Sequence, residues 1–243
     1  MPNLIGGNKM PTEYEKLPKT GYTQDTPKRF QLNAGALLEN LTWVKGAEEA
    51  GGKWSGDLIG ATSGGSSISL VNTFRQAEID GVFTAVVGGD SIESSEGKFE
   101  VNMIEWTANN LKRALLADVK TSDGTQYPTG YEVITTRREV KSTDYIENLA
   151  YVGTITGSNN PIIIIMHHAF PTGGLEFEPK DKQEGIYKLV FEARASADNA
   201  NDTSLPVTIL FPNATDGVSG FAAQGKKIDG GPTEVQPVKE DTK

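Results

Sequence analysis

Apolar and polar side chains alternate along two stretches of this chain, and this alternation limits the folds open to it more than any other feature. In residues 99–103 and again in residues 187–193, every second position is apolar, beginning with Phe99 and Tyr187. Successive side chains of a β-strand point to opposite faces of a sheet, so a period of two predicts strands with one buried face. The chain is therefore expected to be mainly β.

Further strand candidates follow from shorter apolar and β-branched runs bounded by Gly, Pro, Asn or Asp. They lie at residues 29–41, 67–78, 81–87, 131–136, 150–156 and 207–211. Residues 162–166, Ile-Ile-Ile-Ile-Met, are apolar at every position and too short for a helix. This pattern predicts a strand that is buried on both faces.

One segment has the helical period instead. Ala108, Leu111, Ala114 and Leu115 are three and four residues apart, which places them along one stripe of a helix running from about Ala108 to Leu116. Thr107 supplies a hydroxyl suited to the N-cap. Many strands and a single helix predict a β-sandwich or barrel with one flanking α-helix.

Composition along the chain indicates one folded domain between two tails. Residues 1–28 contain four prolines and no apolar period, which favours an extended N-terminal arm, and residues 224–243 are rich in charge and predict a flexible C-terminal tail. Residues 29–223 contain no linker long enough to separate domains, so they are expected to form a single β-sandwich domain. Residues 44–56 and 120–130 are expected to be loops.

Composition also excludes several classes of function. The absence of Cys excludes disulfides, iron–sulfur clusters and a cysteine nucleophile, and two His leave little for metal binding. The net charge of −9 disfavours tight binding of nucleic acid. No run approaches the ~18 apolar residues of a membrane span, and no signal peptide is recognised at the start. No cofactor, metal or catalytic residue is expected.

Four local patterns contain residue types that chemical sites use. The Gly-rich residues 60–67 lack the Lys of a phosphate-binding loop and favour a strand connection. His167 and His168 are adjacent, so a strand would direct them to opposite faces. Glu176 and Glu178 share one strand face, as paired carboxylates of a glycosidase can, but lie in a mixed-charge stretch typical of a solvated loop. Of the three Trp, Trp106 is expected to anchor the helix. The sequence does not decide the role of Trp43 and Trp54, for which a sugar-stacking platform is one interpretation.

Several longer strings together resemble the major tail protein, or tail tube protein, of long non-contractile-tailed bacteriophages of Gram-positive bacteria. They occur at residues 32–41, 57–82, 98–115, 145–169 and 174–193, and the most specific pieces are Ile-Asp-Gly at 79–81, the strand-to-helix segment 99–115 and Lys-Asp-Lys-Gln-Glu-Gly at 180–185.

The resemblance implies a structural virion protein that is not an enzyme. Six copies would close into a ring by pairing inner sheets, and rings would stack into a tail tube around a tape measure protein, with a tail terminator and distal tail proteins as further partners. Such a tube would be assembled in the cytoplasm of the bacterial host, and DNA would pass through it without specific binding. Glu100, Asn102 and Glu192 are candidates to line the lumen, and Glu100→Lys is expected to leave tubes intact but slow genome ejection.

The main alternative comes from a different class of function. A β-sandwich that binds or hydrolyses carbohydrate, as a phage tail component, would use the Trp residues together with Glu176 and Glu178. Hollow tubes or rings in the electron microscope would favour the structural interpretation, whereas a monomer that binds polysaccharide would favour the alternative.

Overall fold

A computed structural model describes residues 20–46, 52–196 and 205–213 of the chain. In those ranges there are ten β-strands and one α-helix, α1 (Ala108–Leu115). The strands are β1 (Gln31–Val44), β2 (Lys53–Leu58), β3 (Thr62–Gln76), β4 (Asp90–Met103), β5 (Ala117–Thr121), β6 (Glu132–Thr136), β7 (Ile146–Ile155), β8 (Ile162–Pro171), β9 (Tyr187–Glu192) and β10 (Val207–Leu210). The prediction of a mainly β, sandwich-like fold with one helix is confirmed.

The strands form two antiparallel layers that share one strand. The first layer has the order β2-β1-β7-β8-β10, the second has the order β3-β4-β9, and β5 and β6 form a separate two-stranded ribbon. The main part of β8 pairs with β7 and β10, but its last residues, Phe170 and Pro171, pair with β9. His168 precedes this change of partner and has a φ of 47°. A strand that passes from one layer to the other forms a corner of a sandwich.

The core lies between the two layers and follows the predicted period of two. Phe99, Val101 and Met103 of β4 are buried together with Tyr187, Leu189 and Phe191 of β9. The opposite layer contributes residues of β1, β7 and β8, among them Leu37, Leu149, Tyr151 and Met166. The alternating sequence therefore supplies one whole wall of the core.

Strand β8 contributes apolar side chains to both faces of its sheet, as predicted. Met166 and Ile164 belong to the core between the layers, whereas Ile163 and Ile165 form a second cluster with Leu41 and Ala150. Ile163 is buried, and Ile162, Ile164 and Ile165 are half-buried. The outer face of the first layer is therefore apolar at its centre.

Helix α1 begins and ends close to the predicted positions. The Thr107 hydroxyl accepts a hydrogen bond from the backbone N–H of Asn110 at 3.2 Å, which is an N-cap, and Leu116 ends the helix in the left-handed conformation. Asn110, unexpectedly, is buried, and its Nδ2 donates to the carbonyl of Ile59 at 3.1 Å. The helix is thus held to the sandwich by a polar contact as well as by Ala114.

Several local predictions need correction. Residues 81–87 do not form a strand but lie in the connection between β3 and β4, where backbone bonds such as Val82 N–H to Ile79 C=O turn the chain. Gly81, the first residue of this segment, and Gly88, the residue after it, have positive φ, a conformation outside that of a regular strand. β2 occupies the end of the predicted loop 44–56, and residues 47–51 of that loop lie outside the described ranges.

The other differences are smaller. The predicted loop 120–130 begins at the last two residues of β5. The Gly-rich residues 60–67, expected to be a strand connection, belong to β3 from Thr62 onward, and Gly64 and Gly65, both with positive φ, coincide with a shift of register against β4. The predicted N-terminal arm contains a short 3₁₀ helix, Thr26–Arg29, and is not extended there. Residues 1–19 of the arm and the predicted tail 224–243 lie outside the described residues.

Candidate functional site

The three lumen candidates lie on one face of the second layer. Glu100 and Asn102 alternate with the buried residues of β4, and Glu192 is placed likewise on β9. In the strand register, Glu100 is opposite Val190, Asn102 is opposite Lys188, and Glu192 is opposite Lys98. The structure therefore brings the three together on the outer face of the β3-β4-β9 sheet, which we call the polar face.

Ion pairs organise the polar face. The two carboxylate oxygens of Glu100 contact different lysines, Oε1 with Lys98 Nζ at 2.7 Å and Oε2 with Lys188 Nζ at 2.9 Å. Hydrogen bonds from Lys98 and then Lys188 lower the pKa of Glu100 from its ordinary value to about 2. Glu192 pairs with Arg194 at 2.8 Å, and this hydrogen bond is the main cause that lowers its pKa.

The charges of this region balance. Lys98, Lys188 and Arg194 pair with Glu100 or Glu192, and a third carboxylate, that of Glu96, lies on the same face two strand positions from Lys98. The charge is therefore near zero locally, although the whole chain carries −9. Such a surface neither concentrates nor strongly repels a polyanion.

The most exposed apolar surface lies on the hairpin formed by β3 and β4. Between residues 71 and 96 almost every side chain is exposed. Six paired residues of β3, at ~3.3 Å each, carry the hairpin ~20 Å beyond Leu70. Phe74 is 63% exposed, Phe83 98% and Val87 101%. The exposed large apolar residues are Val71, Phe74, Ile79, Val82, Phe83, Val86, Val87 and Ile92.

Unpaired strand edges occur at both ends of the strand order. β3 has 15 residues and pairs only with β4 among the described strands, and β2 likewise pairs only with β1. A long exposed edge presents a row of free backbone N–H and C=O groups to which another strand can add. The second layer is therefore open to extension by another chain.

The structure separates the three tryptophans into two environments. Trp106, which directly precedes the N-cap of α1, packs against Tyr187 and Phe177, and its Nε1 donates to the carbonyl of Gly185 at 2.9 Å, so its contacts are with β9 and the segment before it. Trp43 and Trp54 are directly opposite each other on β1 and β2, with ring centroids 5.1 Å apart. The sequence does not predict this contact, because its Gly and charged residues favour a loop over residues 44–56.

The remaining candidates do not form a chemical site. Glu176 and Glu178 are both exposed, and Glu178 contacts Lys180 at 3.4 Å, so this stretch is the solvated mixed-charge loop that its sequence predicts. His167 Nε2 contacts the Thr208 hydroxyl at 3.0 Å. The positive φ of His168 departs from the regular strand conformation in which the two rings would point to opposite faces. Within the described ranges, no three His, Asp or Glu side chains come close enough to hold a metal ion.

Two further observations concern the chain as a whole. Among the residues that the structure describes, no helix combines the length and the apolarity needed to cross a membrane. No protein-family model matches the chain, and no curated protein matches it significantly.

Proposed function

We propose that this protein is the structural subunit of a hollow phage tail tube. Six copies would close into a ring, rings would stack into the tube, and the virion's DNA would pass through the lumen during ejection. The tape measure protein, tail terminator and distal tail proteins would be its partners in a tail assembled in the bacterial cytoplasm. The proposal is supported by the resemblance in sequence and by exposed surfaces that further copies of the chain would cover.

The β3–β4 hairpin is the observation that carries the proposal. Eight large apolar residues are exposed on this one hairpin, three of them by more than 60%, and clustered exposed apolar residues of this kind mark interaction surfaces. At about 25 cal/mol per Å² of apolar surface removed from water, covering such a patch strongly favours association. A second copy of the chain is a partner that is always present at the required concentration.

The strand edges provide a way to close a ring. Addition of a neighbour's strand along the free edge of β3 would satisfy its unpaired backbone groups and continue the second layer from subunit to subunit. A sheet continued around a closed ring becomes a barrel, which has no edges. The polar face would then form one surface of that barrel, and its balanced charge would let DNA slide.

Negative-stain electron microscopy and light scattering of the purified protein test the proposal. We expect rings or long hollow tubes for the wild type. Replacement of two fully exposed hairpin residues, Phe83→Asp with Val87→Asp, is expected to stop stacking at rings or smaller species, because two charges per subunit would enter an apolar contact.

The matched control is Tyr131→Asp, which changes an aromatic residue that is also exposed but lies outside the hairpin. We expect this variant to form tubes like the wild type. A wild-type protein that stays monomeric at high concentration would contradict the proposal. Tubes of normal length from the hairpin variant would show that the hairpin is not the stacking contact.

A further inference from the structure

Trp43 and Trp54 form an exposed aromatic pair on the β1–β2 ribbon. Trp43 is 53% exposed and Trp54 41% exposed, and their rings are tilted by 59° to each other. Both residues belong to strand pairs that the structure fixes by register, with Thr42 opposite Ser55 on one side and Val44 opposite Lys53 on the other. The pair is therefore a defined surface feature and not two independent side chains.

Gly52 holds the Trp43 ring in place. A Cβ atom at residue 52 would overlap the indole carbons of Trp43, so the ring lies directly against the glycine backbone. Trp54 contacts it from the neighbouring strand. Because the indole is already ordered before any ligand binds, a ligand that stacks on it loses little side-chain entropy from the protein.

The size of the pair indicates what kind of partner it fits. A buried Trp contributes about 150–250 Å², so two half-exposed indoles offer roughly 200 Å². A stable protein interface needs about 800 Å² per partner. Leu58, the other exposed large apolar residue of β2, lies four residues from Trp54, or ~13 Å along the strand. The area suits one small ring better than a protein surface.

We propose that the Trp43–Trp54 pair binds a pyranose ring of a neutral polysaccharide. One face of a pyranose consists of axial C–H groups, which stack on an indole, while the equatorial hydroxyls need hydrogen-bonding groups around the ring. Among the described strands β2 pairs only with β1, so the backbone N–H and C=O groups along its outer edge are available to hydroxyls beside the indoles. The Thr42 and Ser55 side chains, one strand position away, point to the other face of the ribbon. This binding would be a function in addition to tube formation and does not depend on it.

Calorimetric titration with maltoheptaose and with cellohexaose tests the site. We expect a dissociation constant of ~1 mM for at least one of them, since a single stacked ring supplies little binding energy. Trp43→Ala and Trp54→Ala should each weaken binding at least tenfold. Gly52→Ala, which keeps both indoles but displaces the Trp43 ring, should weaken it as well. High salt should leave the affinity unchanged, because no ion pair takes part.

The matched control is Phe74→Ala, which removes an exposed aromatic residue on the β3–β4 hairpin. This variant should bind the oligosaccharides like the wild type, and circular dichroism should show all variants folded. Absence of binding to both oligosaccharides would overturn the proposal, as would equal binding by the Trp variants. Loss of tubes in Trp43→Ala without sugar binding would assign the pair to contact with a second copy, and so would overturn the proposal too.

Discussion

Glu100 shows how the pKa of a partly exposed residue can still be strongly lowered. Its two oxygens are held by two lysines from different positions of the sheet, and these hydrogen bonds keep the carboxylate charged down to a pH of about 2. The residue links β4 to β9 on the polar face. Its side chain is accessible to solvent, so salt will screen part of this effect.

The lowered pKa gives a pH-dependent prediction. An unfolded Glu titrates near ~4.3, so Glu100 contributes stability above that pH and loses the contribution as the pH falls through about 2. We therefore expect the urea midpoint of the wild type to fall more between about pH 5 and about pH 2 than the midpoint of Glu100→Gln. Glu132→Gln, at an exposed position of β6, should behave like the wild type. Parallel curves for the wild type and Glu100→Gln would contradict this role.

At the scale of elements, one buried ion pair connects α1 to β1. Arg113 of the helix contacts Glu39 Oε2, and both side chains are largely buried, at 15% and 9% exposed. The other oxygen, Oε1, is buried without a hydrogen-bond partner in the structure. Burial raises the pKa of Glu39 against the opposing effect of Arg113. Breaking such a pair leaves a charge in the interior, which costs more than the pair itself contributes.

We therefore expect Arg113→Ala to lower the free energy of unfolding by about 3 kcal/mol, measured by urea denaturation. Lys112→Ala, one position earlier on the same helix, should change it by less than ~0.5 kcal/mol. The double variant Glu39→Leu with Arg113→Met removes both charges and should recover most of the loss. A single Arg113→Ala variant as stable as Lys112→Ala would show that the pair does not hold the helix.

The sequence predicts the elements whose apolar residues repeat with a clear period. It does not predict those whose structure depends on pairing with segments distant in sequence. The strands around Phe99 and Tyr187 and the helix after Thr107 follow from local alternation, spacing and capping. Residues 81–87 have strand-like composition, but a strand needs a neighbour with which to pair, and local turns satisfy this backbone instead. Buried Asn110 and Glu39 break the apolar pattern, and their partners are distant in sequence.

The same distinction applies to the candidate site. The common face of Glu100, Asn102 and Glu192 follows from a period of two, although their ion pairs depend on the register between β4 and β9. The contact between Trp43 and Trp54 requires a strand in a segment whose Gly and charged residues favour a loop. The alternation of apolar and polar residues predicts the face of the sheet to which a side chain points. The residues that it contacts depend on the register between paired strands.

At the scale of the whole molecule, the charge balance of the polar face leads to a prediction about DNA passage that rests on the proposed tube function. Ser67 is exposed on this face, directly opposite Glu100. Ser67→Lys adds a positive charge without breaking an ion pair, whereas Glu100→Lys would break two. We expect phage that carry Ser67→Lys to assemble normal tails but release DNA more slowly, because the added charges hold the phosphates.

The delay should shrink as salt rises, and it can be followed by the fluorescence of a dye that binds released DNA. Ser67→Glu serves as the matched control with the opposite charge and should not slow release. Equal release rates for Ser67→Lys and Ser67→Glu would show that this face does not line the DNA path. Electron microscopy of the phage particles distinguishes a defect in tail assembly from slow release of DNA through normal tails.

In the proposed tube, the β3–β4 hairpin would also give the assembly a direction. A contact made by the hairpin of one copy with a different surface of the next joins two unlike patches, and unlike patches stack head to tail without end. A column built in this way has a top and a bottom that differ chemically, one displaying uncovered hairpins and the other the surfaces that receive them. Each end would then need a different capping protein, and the column could add subunits at one end while the other end is already capped.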